Sequence, residues 1–317
     1  MSIKWGVIGT GGIAREFISD VMTHTEMTVA AIGSRNPEKA NSFFPGIKGY
    51  GSYEQLVNSD VDAVYIATPH QVHCENTLLA LDAGKPVLCE KPFAVNAKEA
   101  KMMADLAKTK NLLLMEAMWT RYLPHIQKVR ELLPELGEIK NLQADHGQSL
   151  MHIKRLTDPN YAGGALLDLG IYPISFAFMV LGKPEKITAK AVLENGVDLQ
   201  SSAIFGYSSG RQAVINTVMN AKSPTTASIN GSKARLELAT SFYRPTSMRL
   251  IYDDGRTVEF NRDYRGHGLR EQAIYFEKML ISGKKESQLL PISETIEIIE
   301  CLDEIRNQIG LKYPFEK

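Results

Sequence analysis

"GVIGTGGIA", residues 6–14, decides how this chain folds. Its first residues complete an apolar run, "IKWGVIG", that reads as a β-strand, and from Gly12 the pattern turns helical as far as Met22. Between the two, Gly9-Thr10-Gly11-Gly12-Ile13-Ala14 spells G-x-G-x-x-A. Such a pattern is common by itself. Closing a strand and opening a helix at the start of a βαβ unit, it points to a dinucleotide site. Gly9 permits the tight turn, Gly11 lets the backbone approach a pyrophosphate, and Ala14 allows the helix to pack closely on the strand. The free N–H groups and dipole of the helix N-terminus favour the phosphates. The plainer alternative is a glycine-rich turn that binds nothing.

Downstream the same rhythm continues. "MTVAAIGS" is the next strand, and Asn36-Pro37-Glu38 opens a helix with Asn as N-cap and Pro at N1. "DAVYIAT" is almost continuously apolar, as a parallel strand covered on both faces should be. A helix from His70 to Ala83 ends at Gly84, "PVLCE" is a strand, Asn96 and Glu99 form a capping box, and "NLLLME" is one more strand. This alternation predicts an α/β Rossmann domain, a doubly wound parallel sheet, over residues 1–120.

From residue 121 to 317 the character changes. Eight β patterns begin at Ile139, Lys186, Gln200, Arg211, Thr225, Arg235, Met248 and Thr257, with a hairpin turn at Asp253-Asp254-Gly255. One apolar helix, Ala165 to Leu181, interrupts them, and two helices close the chain. Strands in series predict an α+β domain with an open, mainly antiparallel sheet.

Thirty-six basic residues balance 36 acidic ones, so no global field draws the chain to nucleic acid or to anionic lipid. Cys74, Cys89 and Cys301 are odd in number and lack C-x-x-C spacing, which argues against a disulfide framework and a structural zinc site; no metal is expected. The longest apolar stretch, Leu169 to Gly182, is about 14 residues and contains Pro173, short of the ~20 that span a bilayer. With no signal peptide visible before "MSIKWGVIG", a cytoplasmic protein meeting small molecules is expected.

The second strand ends at Gly33-Ser34-Arg35, where an NAD site carries an acid for the ribose. A guanidinium there suits a 2′-phosphate, so NADP is favoured over NAD. The other reading is a solvated Arg35 with both cofactors binding. Loops at the carboxyl ends of strands border the ligand crevice, which places Thr68, Pro69 and His70 beside the nicotinamide. His73, one turn on, is open to a structural or a ligand role. "CEKP" holds the same position one strand later, so Lys91 is aimed at a substrate oxygen unless it is a plain surface lysine. Glu90, included in the cofactor set, is a candidate to orient Lys91. Asp168 and Tyr172 are four apart on the apolar helix and so share a face. Asp168 is costly there unless paired, or else is an N-terminal acid held by backbone N–H groups. Oxidising an alcohol removes a hydride from carbon and a proton from oxygen. Tyrosine, with a reference pKa near 10, becomes a useful base if an ammonium ~4 Å away favours its phenolate by roughly 1–4 kcal/mol.

On "GVIGTGGIA", "CEKP", "MEAMWTRYLP", "GGALLDLGIYP" and "EIRNQIGLKYP", the chain resembles the glucose-fructose oxidoreductase / inositol dehydrogenase (Gfo/Idh/MocA) family over essentially its whole length, and most closely its diol- and aldose-dehydrogenase branch. The resemblance implies that Lys91 is the essential lysine, Tyr172 the general acid/base, and Arg35 the grip on the 2′-phosphate. It puts Trp119, Arg121 and Tyr122 at the substrate pocket. His146 stands where relatives carry an aromatic pocket residue, which implies a sugar rather than an aromatic diol. It implies a homodimer through the open sheet. Three alternatives stay open: reduction of a sugar ketone of the 1,5-anhydrofructose type, a silent NADP-binding regulator, and cofactor-retaining glycoside hydrolysis.

Overall fold

The computed structural model describes Ile3 to Glu316, which fall into two compact units. The first holds the chain up to Tyr122 together with Gly266–Ile299; the second holds Leu123–Arg265 and the chain from Glu300 onward. The expected division at residue 120 lies close to the first break. Placing everything after it in the second domain misses the return of residues 266–299.

In the first unit six strands form one parallel sheet: β1 (Lys4–Ile8), β2 (Thr28–Gly33), β3 (Lys48–Tyr50), β4 (Ala63–Ile66), β5 (Val87–Glu90) and β6 (Leu114–Ala117). Their spatial order is β3-β2-β1-β4-β5-β6, the Rossmann order, with the reversal between β1 and β4. Every residue of β4, β5 and β6 is buried, which is why these strands read as unbroken apolar runs. Around the sheet lie α1 (Gly12–His24), α2 (Pro37–Ser42), α3 (Tyr53–Val57), α4 (His73–Asp82) and α5 (Ala97–Lys110). The caps follow the sequence. Asn36 Oδ1 accepts from Lys39 N at 3.0 Å, and Asn96 Oδ1 from Glu99 N at 3.0 Å. β3 and α3 were not expected: at three and five residues they are too short to carry a periodic signal.

In the second unit, α6 (Pro124–Leu132), also unforeseen, precedes β7 (Ile139–Gly147), and α7 (Ile171–Leu181) precedes the remaining strands. These are β8 (Lys186–Glu194), β9 (Val197–Gly206), β10 (Gln212–Val218), β11 (Ala227–Gly231), β12 (Ala234–Leu238), β13 (Met248–Tyr252) and β14 (Thr257–Phe260). They pair in the order β14-β13-β12-β11-β7-β10-β9-β8. Every pairing is antiparallel except β7 with β10. Alternation is clear along β10, whose buried residues are Ala213, Ile215 and Thr217. α7 covers the buried face, while the other leaves Val192, Ile204 and Val214 exposed. The apolar stretch is longer than expected. Pro159–Leu181 runs 23 residues, long and apolar enough for a membrane span, but 89% of its most apolar window is buried inside the protein. It is a core element.

α8 (Arg270–Ile281) and α9 (Ile292–Ile309) follow. α8 packs on α1, and its N-terminus is latched there by Asp20. That buried carboxylate accepts from the backbone N–H groups of His267 (3.0 Å), Gly268 (3.0 Å) and Arg270 (2.9 Å), satisfying the free donors of the helix end. Below it, Phe276 of α8 packs 4.9 Å from Trp5 of β1. This latch and core contact explain why residues 266–299 belong to the first unit.

Candidate active site

The turn from β1 into α1 is built around two different glycines. Gly9 has φ +117°, and a Cβ there would lie 2.5 Å from the carbonyl oxygen of Ala67, so the turn is pressed against the end of β4. Gly11, the N-cap of α1, has no side-chain cap, and a Cβ on Gly11 or Gly12 would meet nothing within 4 Å. One glycine is needed for the fold, and two keep a face open. A cavity of about 320 Å³ lies over that face, lined by Thr10, Gly11, Gly12, Arg15, Lys39, Ser42 and Phe43. Free helix N–H groups, hydroxyls and two cations fit phosphate groups. Arg15 and Lys39 were not singled out in the sequence; they lie on neighbouring helices with no motif to mark them. Ala14 is fully buried and Ile13 half-buried. Ser34 is buried, its Oγ accepting from Asn36 N at 3.2 Å and standing 3.5 Å from Thr10 Oγ1. Arg35 is exposed at the end of β2.

Beyond β4, Thr68 is buried with its Oγ1 accepting from Asn76 Nδ2 (3.1 Å); Pro69 is half-buried and His70 buried. His73 resolves toward structure. It is fully buried, with Nδ1 2.8 Å from the carbonyl oxygen of Pro92 and Nε2 2.8 Å from that of Thr68. Only an imidazolium donates to both. Burial first, then the charge of His70, pushes its pKa down to about 3, against the opposing pull of the two carbonyl acceptors. It ties the loop after β4 to the loop after β5.

That second loop carries Lys91, half-buried, joined to Pro92 by a cis peptide bond. Glu90 is buried and accepts from the Tyr65 hydroxyl and from Lys91 N (3.2 Å). Glu116, in β6, accepts from Phe93 N (3.3 Å) and from Thr295 Oγ1 (3.1 Å). The turn is thus gripped from behind by buried acceptors, an arrangement that fixes where Lys91 points.

Burial pushes the Glu116 carboxyl from 4.5 to about 7, and the neighbouring Glu90 charge adds to it, against the opposing donors of Thr295 and Phe93 and the charge of Arg121. Between those values the folded state holds a proton the unfolded chain has lost, so stability falls as pH rises through the window. Glu116→Gln keeps the shape and cannot ionise. Its stability relative to wild type is expected to rise by about 3 kcal/mol between pH 4 and pH 8. Urea unfolding across that range reads this, and parallel curves for the two proteins would refute it.

Trp119, Arg121 and Tyr122 are buried. Arg121 pairs with Glu294 at 2.5 Å and donates to Leu289 O (3.3 Å); the Tyr122 hydroxyl donates to Ser287 Oγ (3.1 Å). These contacts fasten the start of α9 and the segment before it within the first unit. Trp119 stacks on His267 with centroids 4.9 Å apart.

In the second unit, the helix bearing Asp168 and Tyr172 opens with a π-helical turn, Leu166–Gly170, before α7. Asp168 lies in this π-helical turn and Tyr172 in the first turn of α7 that follows it. Asp168 pairs with Arg155 at 3.3 Å, the kind of partner a buried acid needs. Beneath the turn, buried Asp198 accepts from Leu166 N (2.8 Å) and Ser201 Oγ (2.6 Å), and burial raises its pKa to about 7. Tyr172 joins an aromatic cluster: His146 at 5.2 Å and Tyr243 at 4.9 Å, with His146 stacked on Tyr243 at 4.3 Å. Gln148 Nε2 donates to His146 Nε2 (2.8 Å) and to the Tyr243 hydroxyl (3.2 Å). Gln148 was findable, two residues beyond His146 on the same strand face. Tyr243 and Arg155 were not, since they sit in loops.

A parallel sheet of this order, with an open glycine cradle at its phosphate turn and titratable groups at the strand ends beside the reversal, defines a nucleotide-dependent oxidoreductase. The chain belongs to the GFO/IDH/MocA family: residues 3–118 match its model of an oxidoreductase family with an NAD-binding Rossmann fold, and residues 126–237 match the GFO/IDH/MocA C-terminal domain. Among its relatives, a trans-1,2-dihydrobenzene-1,2-diol dehydrogenase of Mus musculus is 36% identical, with both chains fully covered. A D-xylose 1-dehydrogenase (NADP(+)) of Hypocrea jecorina is 34% identical over 99% of this chain and 93% of that one. The crystal structure of a 3-ketoreductase from Actinomadura kijaniata, in complex with NADP and TDP-benzene, superposes with a TM-score of 0.87 at 27% identity, covering 98% of each chain.

Proposed function

We propose that this protein is an NADP-dependent dehydrogenase that interconverts a hydroxyl of a sugar, or of another vicinal diol, with the carbonyl or lactone. The observation that carries the reading is the position of Lys91, delivered by β5 to the carboxyl edge of the parallel sheet, one strand from the reversal between β1 and β4. Relatives named for diol and xylose dehydrogenation support the substrate class. The nicotinamide supplies the hydride acceptor. Gly11 and Gly12 admit the pyrophosphate, and Lys91 holds the substrate oxygen. Tyr172 takes the hydroxyl proton, and Asp168, neutralised by Arg155, orients the proton path. Turnover of aldoses, polyols and diols with NADP, followed by nicotinamide absorbance, tests the assignment; no turnover with any of them sinks it. The neighbour named as a 3-ketoreductase supports a second reading, reduction of a sugar ketone, which a dominant reverse reaction on the same panel favours.

Arg35 replaces the acid that would repel a 2′-phosphate. Arg35→Ala is expected to weaken NADP binding about 10- to 100-fold, the worth of one charge-assisted contact, and to leave NAD affinity within about twofold. Fluorescence titration with the two reduced cofactors separates the outcomes, and equal losses for both would remove Arg35 from the 2′-phosphate.

Large apolar side chains exposed on the outer face of the eight-stranded sheet support a homodimer. Ile204 and Val214 are 49% and 39% exposed there. Ile204→Glu is expected to convert a dimer to a monomer in sedimentation velocity, and a monomeric wild type defeats the idea. The free thiols Cys74, Cys89 and Cys301, all buried, support a cytoplasmic site, which cell fractionation checks.

A further inference from the structure

The stretch "EIRNQIGLKYP", residues 304–314, runs from the last turns of α9 into the tail of the second unit. That tail is locked down. Arg306 is buried, and its guanidinium grips the Glu316 carboxylate through two bonds, Nη1 to Oε2 at 2.6 Å and Nη2 to Oε1 at 2.9 Å; Nη2 also donates to Asp303 Oδ1 at 2.8 Å. Glu316 Oε2 accepts in addition from Tyr313 N (3.0 Å), and the guanidinium lies 5.2 Å from the centroid of the Tyr313 ring. A buried charge is tolerated when it is paired in this way. The residue that the lock holds in place is Tyr313. It is 1% exposed, and its hydroxyl donates to the carbonyl oxygen of Gly163 at 2.7 Å. Burial first, then the charge of Asp198, pushes the pKa of that hydroxyl well up, so it keeps its proton and stays a donor.

Gly163 stands just ahead of the π-helical turn Leu166–Gly170, which carries Asp168 and leads into Tyr172. Four successive residues there are held by groups outside the helix. Gly163 O accepts from Tyr313, and Gly164 N donates to Leu156 O at 2.9 Å. Ala165 O accepts from Thr217 Oγ1 at 3.4 Å, and Leu166 N donates to Asp198 at 2.8 Å. These partners come from the tail, from the turn Lys154–Leu156, from β10 and from β9. The space is closed as well. A Cβ on Gly163 would lie 2.5 Å from Leu156 O, and one on Gly164 would collide with Asp198 Oδ1. A π-helical turn is a rare geometry, met mostly at functional sites. A backbone fixed at four points ahead of it passes its placement on to the residues that follow.

We infer that Tyr313 is a positioning residue for the reaction: through Gly163 it fixes the start of the π-helical turn and so the aim of Tyr172, while the Arg306–Glu316 pair holds Tyr313 itself. The inference rests on the reading of Tyr172 as the proton-handling residue. The same helix supplies an internal comparison. At its other end the Tyr207 hydroxyl donates to Gly182 O at 3.1 Å, the same kind of bond placed after α7 instead of before it.

Tyr313→Phe removes one oxygen and keeps the ring. With NADP and D-xylose, kcat is expected to fall about tenfold, within the 10²-fold that a misplacement of about 1 Å can cost. The NADPH dissociation constant is expected to stay within about twofold, because the phosphate cradle belongs to the first unit. Glu316→Gln, which loosens the lock and leaves Tyr313 whole, is expected to lower kcat in the same direction by about threefold. Tyr207→Phe is expected to leave kcat within about twofold. In a Tyr172→Phe background, Tyr313→Phe is expected to cost nothing further, since it acts through the residue already removed. An unchanged kcat in Tyr313→Phe, an equal loss in Tyr207→Phe, or a full further loss in the Tyr172→Phe background each overturns the positioning role. Hydrogen exchange judges the anchor without turnover. In Tyr313→Phe the peptide over residues 163–172 is expected to exchange at least about fivefold faster while β9 and β10 keep their protection, and unchanged exchange overturns the anchor. Tyr172→Phe alone tests the reading beneath it: retained turnover, or a wild type that leaves D-xylose untouched, rejects that reading, and the exchange result then decides the anchor by itself.

Discussion

Lys91→Ala is expected to lower kcat by about 10²- to 10⁴-fold while NADPH still binds. That range is the usual worth of a positioned acid–base or electrostatic group. The substitution removes the ammonium, while the backbone of the turn keeps its buried partners. Glu90 accepts from Lys91 N, His73 Nδ1 lies at hydrogen-bond distance, 2.8 Å, from the carbonyl oxygen of Pro92, and Glu116 accepts from Phe93 N. The phosphate cradle at Gly9 to Gly12 lies on a different strand end. Stopped-flow turnover and NADPH fluorescence titration on the same preparation read the two effects separately. Turnover near wild type would falsify the assignment of Lys91. Lys91→Arg keeps the charge on a planar, differently placed donor and is expected to recover only part of the rate.

The second large effect concerns the glycines. Gly9→Ala places a Cβ 2.5 Å from the Ala67 carbonyl oxygen in a residue with φ +117°. Backbone strain of about 1–3 kcal/mol and overpacking of a similar size add, so the loss of stability is expected to be about 2–5 kcal/mol, with cofactor binding lost as the turn shifts. Gly11→Ala is the contrast. Its Cβ meets nothing within 4 Å, and its φ of −92° suits any residue. Stability is expected to stay within about 0.5 kcal/mol, as for other open sites. Cofactor affinity is nevertheless expected to fall at least tenfold, because the methyl group occupies the space the pyrophosphate needs. Thermal unfolding without cofactor and NADPH titration read the pair. If Gly11→Ala binds cofactor normally, the open face is not the phosphate site.

These two glycines also mark how far the sequence carries. G-x-G-x-x-A after a strand locates the turn, because turn chemistry and helix capping act within a few residues. It does not say that Gly9 is fixed by contact with Ala67, 58 residues on. The strand-ends rule brought Lys91 to the crevice edge by counting strands. What holds Lys91 there is Glu116 and Thr295, contributed by β6 and α9. The resemblance puts Arg121 and Tyr122 at the substrate pocket; their hydrogen-bond partners Glu294 and Ser287, 173 and 165 residues later, left no mark on the sequence around them.

What the sequence determined alone was therefore local and periodic: the parallel strands of the first unit long enough to alternate with helices, the eight strands of the second, the asparagine caps, and the phosphate turn. Short β3 and the return of residues 266–299 to the first unit were left to the tertiary structure. So were the π-helical turn that carries Asp168 and the gathering of His146, Gln148, Tyr172 and Tyr243 into one cluster. The reason is physical. Hydrophobic period and turn chemistry write their signal into neighbouring residues, whereas a carboxylate such as Asp20 can meet N–H donors 250 residues away with no mark on the sequence around either partner.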